Sequence, residues 1–264
     1  MTKQDLRKLY WLFSQQLGVD PRRLMRMPKG LWRYLRDLRA FRGRNTMSLQ
    51  LQPCLHDWWE QAGAIENEYF WQDLFVARMV YRAAPLRHID IGSRLDGFVA
   101  HLAAFREVEV FDVRRLDLAI PGVTFHQADM MKSEQVPTSY ADSVSCLHAL
   151  EHFGLGRYGD PLEPRGVELG LASLSKLLSA GGQLYLSCPV GNDVVHFNAH
   201  RSLHPATICR LAGLVGLELT TCWLFDTDAK TFEPVELPLD AYVPSEPHSL
   251  AVYTFRKATC NPQP

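Results

Sequence analysis

The chain has 264 residues and a mass of 30.1 kDa, with 47% apolar and 22% charged residues. That composition excludes a largely disordered chain, a collagen-like chain and a coiled-coil rod, and it suits one large domain with an extension. The net charge of −1 is unevenly spread: residues 1–44 hold 12 Lys and Arg against three Asp, a net of +9, and the remainder holds 16 basic against 26 acidic residues, a net of −10. A basic appendage on an acidic body is therefore expected.

No apolar run approaches about 18 residues, so no membrane-spanning helix is expected. No apolar stretch follows Met1-Thr2-Lys3-Gln4-Asp5, so no secretory leader is expected either. The six cysteines, at 54, 146, 188, 209, 222 and 260, are scattered and form no Cys-x-x-Cys, which points away from zinc ribbons and disulfide frameworks. A reduced, cytoplasmic protein is the simplest expectation.

Taken in chain order, Leu6, Leu9, Tyr10, Phe13 and Leu17 recur at helical spacing. Asp20-Pro21 reads as an N-cap followed by a proline at the first helical position. Beyond it, Leu24, Met27, Leu31, Leu35 and Leu38 form an apolar stripe, with Arg22, Arg26, Lys29, Arg33 and Arg36 opposite. Pro28 and Gly30 interrupt this pattern and predict two short helices rather than one long one. Such a segment suits either peripheral contact with an anionic membrane through residues 1–44 or a solvated basic face on a helix packed against the body. Residues 45–60 read as a linker or irregular cap, so 1–60 is a basic helical extension and 61–264 a separate domain.

Ile65, Tyr69, Val76, Met79, Val80 and Ala83 predict a helix over 64–83, stopped by Pro85. After it, short apolar strands are expected at 86–91, 108–112, 123–126, 143–147, 183–188, 217–225 and 249–256. Helices are expected at 98–105, 167–178 and 205–214, with Gly181-Gly182 as a helix stop. The pattern predicts an α/β fold: a Rossmann-like, doubly wound, mostly parallel seven-stranded sheet with an N-terminal helical extension.

In such a sheet, ligands bind beyond the carboxyl ends of the strands. The first strand runs into Asp90-Ile-Gly92-Ser93-Arg94-Leu-Asp96-Gly97, a turn whose glycines let backbone N–H groups approach a ligand. Asp112 ends the second strand, where a ribose-binding carboxylate belongs. Asp129 and Met130 follow the third, placed to accept from an exocyclic amine and to pack on a purine face. The fourth strand exits into His148-Ala-Leu-Glu151-His152, which matches the His-x-x-Glu-His of inverted zinc peptidases. Those ligands lie within a helix, whereas here an apolar strand runs directly into His148.

The ordered set of Asp-x-Gly, strand-two Asp, strand-three Asp, Leu-His-Ala-Leu-Glu-His and Gly-Gly before a strand resembles the class I S-adenosylmethionine-dependent methyltransferases, over roughly residues 70–256. The string Leu147–Asp160, with Phe197-Asn-Ala-His-Arg201, resembles a little-characterised methyltransferase-like family found in bacterial glycan gene clusters and nematodes. This resemblance implies S-adenosylmethionine as cofactor, held by Asp90, Gly92, Ser93, Arg94, Gly97, Asp112, Asp129 and Met130. It puts His148, Glu151, His152, His196 and His200 at the chemistry, and Arg157, Tyr158, Asp160, Asn198 and Arg201 on the substrate. The implied reaction is O-methylation of a glycan, lipid-linked glycan or related small metabolite. The alternative is a catalytically silent relative acting as a binding or scaffold partner in glycan biosynthesis.

Arg94 departs from the family pattern, which has glycine there; its side chain would either obstruct the cofactor or grip its carboxylate. The 148–152 stretch also resembles the metal-holding Glu-x-x-Glu-His of ubiquinone-pathway O-methyltransferases, so a divalent ion is the alternative to metal-free base catalysis. Nucleic-acid methylation is disfavoured, since no Asn/Asp-Pro-Pro-Tyr/Phe motif occurs. The remaining histidines, 56, 88, 101, 126 and 248, read as structural.

Overall fold

A computed structural model describes residues 6, 9, 10, 12–60, 62, 63, 65–239, 242–245 and 248–259. Cys260 and, within the basic segment, Met1–Asp5, Arg7 and Lys8 lie outside the described residues. The chain divides into two compact units, Met1–Ala64 and Ile65–Pro264.

The first unit is built on α1, Pro21–Arg42, preceded by a short π-helical turn at Leu12–Gln16. Asp20 caps α1 through its carboxylate to the N–H of Arg22 at 2.9 Å, and Pro21 takes the first helical position. The helix is continuous, which corrects the expectation of two short ones: Pro28 lies inside it. Gly30 is not a breaker. It is the buried residue of α1, and a Cβ there would lie 2.3 Å from the carbonyl oxygen of Leu55. The glycine admits the returning chain, whose Trp58 lies under the Arg33 guanidinium at 4.1 Å.

The second unit opens with α2, Glu68–Ala83, capped by Asn67 and ended by Ala84 in the left-handed region, just before Pro85. The strands are β1 His88–Ile91, β2 Val108–Asp112, β3 Val123–Gln127, β4 Ala141–Leu147, β5 Leu178–Pro189, β6 Val194–His196, β7 His200–Ser202, β8 Leu217–Asp226, β9 Thr231–Pro234 and β10 His248–Lys257. Helix α3 is Ala100–Ala103, entered through a π-helical turn at Leu95–Val99; α4 is Gly166–Leu177 and α5 Pro205–Leu214.

The main sheet has the order β3-β2-β1-β4-β5-β10-β8-β9. Its first five strands are parallel, and β10, β8 and β9 are joined antiparallel. The seven expected strands are thus joined by an eighth, the short edge strand β9, and by a separate β6–β7 hairpin where the sequence showed only a polar connection. Gly181-Gly182 does not stop a helix: α4 ends at Leu177, and the pair lies inside β5, in a register shift between Leu178 and Gln183.

Helices cover both faces of the sheet. Val76, Val80, Phe98 and Leu102 pack on one side against Val108, Val110 and Tyr185. Leu171, Leu174, Leu177, Ile208 and Ala212 pack on the other against Ile89, Val144, Cys146 and Leu184. The order in which successive strands are added reverses between the parallel neighbours β1 and β4, and the crevice beyond their carboxyl ends is where this topology places a ligand.

Candidate active site

At those carboxyl ends lies an open cleft of about 830 Å³, counting the space continuous with solvent. One wall comes from the β1 exit (Ile91, Gly92, Arg94), the β2 exit (Phe111–Arg114) and the β3 exit (Ala128–Met131). The other comes from the β4 exit (Leu147–Ala149, His152, Phe153), the loop residues Arg157, Tyr158 and Asp160, and Tyr69 of α2.

The β1 exit is held from below. Asp90 is fully buried and accepts hydrogen bonds from the Ser93 N–H (3.0 Å), the Ser93 hydroxyl (2.6 Å) and the Ser145 hydroxyl (2.6 Å). Burial pushes its pKa up to about 6, against those three bonds. Ser93 in turn accepts from the Leu147 N–H at 3.1 Å. Asp90 and Ser93 therefore shape the turn and do not line the cleft. Gly92 does, with φ +69° and only 3.0 Å between a hypothetical Cβ and Ala149 Cβ, so the bare backbone is required there. Gly97 serves packing instead: a Cβ would fall 2.3 Å from Asp73 Oδ2.

Arg94 has φ −68° and ψ 127°, a conformation open to any residue, so a side chain at this position strains nothing. Its guanidinium pairs with both oxygens of Asp96 (3.1 and 2.8 Å) and lies 5.4 Å from the Tyr69 ring centre. Asp112 is similarly engaged. Arg114 donates to Oδ1 from its backbone N–H (2.8 Å) and Nε (3.0 Å), and to Oδ2 from Nη2 at 2.5 Å. Asp129 accepts from the Met131 N–H at 2.9 Å, and buried Met130 forms part of the apolar floor.

The β4 exit carries a buried polar cluster. His148 takes φ +50° and donates from Nδ1 to Glu151 Oε1 at 2.9 Å; its ring packs 4.5 Å from that of Tyr69. Burial raises the Glu151 pKa, but the His148 hydrogen bond and the charges of His148 and His152 outweigh it, leaving the pKa below its ordinary value. His148 Nε2 and Glu151 Oε2 are buried without a partner. Burial lowers the His152 pKa, with Glu151 opposing. His152 Nδ1 faces the Ala199 carbonyl at 2.6 Å, a bond that needs the proton on Nδ1 and leaves Nε2 as the basic nitrogen, 3.8 Å from Glu151 Oε1. Tyr69 is pushed up to about 12 by burial, with the Glu151 charge adding to it.

The β6–β7 hairpin brings its turn to this cluster. The rings of His196 and His200 lie 4.7 Å apart; His196 is exposed, and burial lowers the pKa of His200. Arg201, expected on the substrate, turns to the backbone instead. It is buried, donating to the carbonyls of Phe153 (2.6 Å), Glu151 (3.4 Å) and Pro164 (3.4 Å). Asp160 is likewise committed to its own loop, accepting from the N–H groups of Gly154, Gly156 and Tyr158. Asn198 sits in the hairpin turn with φ +62°, its amide 3.5 Å from the Leu155 carbonyl.

His148, Glu151 and His152 do not converge as metal ligands. Among the described residues the group whose ligand atoms lie within 4.8 Å of one another is Asp226, Glu233 and His248, on β8, β9 and β10 away from the cleft. Tyr69 and Arg114 are among the cleft residues that lie outside the sequence reading of the site. Tyr69 was assigned to an apolar helix stripe, and Arg114 carried only its position two residues beyond Asp112 as a signal.

The chain's residues 121–237, less than half its length, match the model of a family described as "Caenorhabditis protein of unknown function, DUF268". No curated protein sequence matches it. Among solved structures it resembles the 1,6-didemethyltoxoflavin-N1-methyltransferase of Burkholderia thailandensis, with bound 1,6-didemethyltoxoflavin and S-adenosylhomocysteine. That match has 14% identity and a TM-score of 0.51, and covers 77% of this chain and 81% of that one. It also resembles the [4+2]-cyclase SpnF, at 14% identity and a TM-score of 0.52, over 71% of this chain and 82% of that one. The Ile65–Pro264 unit therefore has the Rossmann-like fold found in S-adenosylmethionine-dependent methyltransferases.

Proposed function

We propose that the protein is an S-adenosylmethionine-dependent methyltransferase acting on an oxygen of a glycan or related small metabolite. The observation that carries this reading is the convergence of Gly92, Asp112, Asp129 and Met130 with His148 and His152 on one cleft. The residues suit the cofactor. Gly92 offers uncovered backbone, Asp112 and Asp129 offer carboxylates for hydroxyls and an amine, and Phe111, Ala128 and Met130 offer an apolar floor for a purine.

S-adenosylmethionine supplies an activated methyl group, so the protein's task is to orient the acceptor and remove its proton. His152 is suited to take that proton at Nε2, because its Nδ1 is committed to Ala199. Glu151 stands behind Nε2 and favours the resulting imidazolium. Neither step calls for a metal.

A second reading, a non-catalytic binding protein, draws on one observation: both carboxylate oxygens of Asp112 are taken by Arg114. Calorimetric titration with S-adenosylhomocysteine separates the two, and absence of binding refutes the methyltransferase reading. We further propose that the first unit contacts anionic lipid, which suits a lipid-linked acceptor. Leu24, Met27, Leu31 and Leu35 of α1 are exposed, and five basic residues line its opposite side. No helix among the described residues is long and apolar enough to cross a membrane.

A further inference from the structure

Three arginines line the cleft, and they are not equivalent. Arg94 spends its guanidinium on Asp96, and Arg114 spends its own on Asp112. Arg157 is exposed and, among the described residues, pairs with no carboxylate. Its Nη1 donates to the Ala199 carbonyl at 2.9 Å and lies 3.5 Å from His152 Nδ1, while the guanidinium sits 5.1 Å from the Tyr158 ring centre. A guanidinium has five N–H donors, so most of its capacity is open to a ligand.

The groups around Arg157 do not balance its charge. His152, His196 and His200 are gathered at the same end of the cleft by the Ala199 turn. Glu151 is fully buried and engaged by His148, and Asp160 is occupied by three backbone N–H groups. The positive field is felt locally: after burial, Arg157 contributes to lowering the pKa of both His152 and His200. A neutral polyol would use the donors and leave the charge uncompensated. A planar or tetrahedral oxyanion would answer both.

We propose that the acceptor carries an oxyanion, a carboxylate or a phosphate, and that Arg157 receives it beside His152. The ligand's role as methyl acceptor rests on the methyltransferase reading; the oxyanion preference stands on the geometry alone. Anchoring at Arg157 would fix the acceptor so that its nucleophilic oxygen faces Nε2 of His152.

The test is a calorimetric titration of the full chain with benzoate, phenylphosphate and benzyl alcohol, with and without S-adenosylhomocysteine. At least one oxyanion probe should bind about tenfold or more tightly than benzyl alcohol, as expected for charge-assisted bonds. Whichever of the two gains identifies the oxyanion. Arg157→Gln should bring the three probes to within about twofold of one another, and Arg157→Lys should keep part of the preference, because it retains charge without the fork. Equal binding of all three probes by the parent protein, or a preference that survives Arg157→Gln, overturns the proposal. If Arg157→Gln does not fold, an undiminished preference in Arg157→Lys overturns it. Oxyanion preference without S-adenosylhomocysteine binding sinks the methyltransferase reading alone; the converse sinks the oxyanion site alone.

Discussion

Replacing Asp112 by alanine probes the proposed cofactor site at its most exacting point. A ribose that uses both Asp112 oxygens must first displace the Arg114 guanidinium, whose side chain is 49% exposed. The Asp112 side chain is only 10% exposed, which puts the pair at the upper end of the range of about 0–1 kcal/mol for solvent-exposed pairs, so its displacement subtracts about 1 kcal/mol from binding. Charge-assisted bonds from ribose hydroxyls to a carboxylate contribute about 1.5–3 kcal/mol. Asp112→Ala removes the second quantity and recovers the first, a net loss of about 0.5–2 kcal/mol, or roughly 2- to 30-fold in affinity for S-adenosylhomocysteine. Arg114→Ala removes only the competitor and should tighten binding by up to about fivefold at low salt, with the gain shrinking as salt screens the pair. Isothermal titration of the two single variants and the double variant reads all three quantities. The reasoning is refuted if Arg114→Ala weakens binding tenfold, because Arg114 would then be a ligand for the cofactor, or if Asp112→Ala leaves affinity unchanged.

With an acceptor in hand, His152→Ala should lower turnover by about 10²–10⁴-fold while leaving S-adenosylhomocysteine affinity nearly intact; full turnover in that variant removes His152 from the chemistry. Because burial holds the His152 pKa below its ordinary value and Glu151 opposes that shift, activity should fall only on the acid side of neutrality. Glu151→Gln should move that acid limb to still lower pH, and an upward move would contradict the electrostatic assignment. Beneath the site, His88 is pushed down to about 3 by burial. The unfolded chain therefore binds a proton that the folded one refuses between about pH 6.5 and 3, and stability is lost as pH falls through that window. The buried Asp90, raised to about 6, acts in the opposite sense over roughly pH 6 to 4. His88→Asn removes the His88 contribution, so its melting temperature relative to the parent should climb as pH falls from about 6.5 to 4; parallel curves would remove the His88 assignment. Vesicle sedimentation should show salt-sensitive binding to anionic liposomes that is lost with Arg22→Glu, Arg26→Glu and Arg33→Glu combined, and equal binding to neutral vesicles counts against lipid contact.

Strand exits were legible in the sequence because a parallel sheet forces them to one edge: once β1, β2, β3 and β4 are recognised, Gly92, Asp112, Asp129 and His148 must share it. Direction within a loop was not legible. Arg157 and Arg201 look alike in the sequence, yet one opens onto the cleft and the other is buried against three carbonyls. A polar side chain turned toward a ligand and one turned toward its own backbone have the same composition. Tyr69 was hidden for a related reason, since an aromatic at helical spacing serves a core or a cleft equally well until the partner of that helix face is known. Pro28 reads as a breaker in the sequence because its local penalty is visible there, whereas the chain that packs on Gly30 is not.

Arg201 also determines how the cleft can move. Its guanidinium joins β7 to the carbonyls of Glu151, Phe153 and Pro164, so the β6–β7 hairpin, the β4 exit and the approach to α4 are fastened into one body. Swinging the hairpin outward would strip a buried cation of its acceptors, a loss of several kcal/mol by analogy with broken buried pairs. The hairpin thus behaves as a fixed doorpost on its side of the cleft.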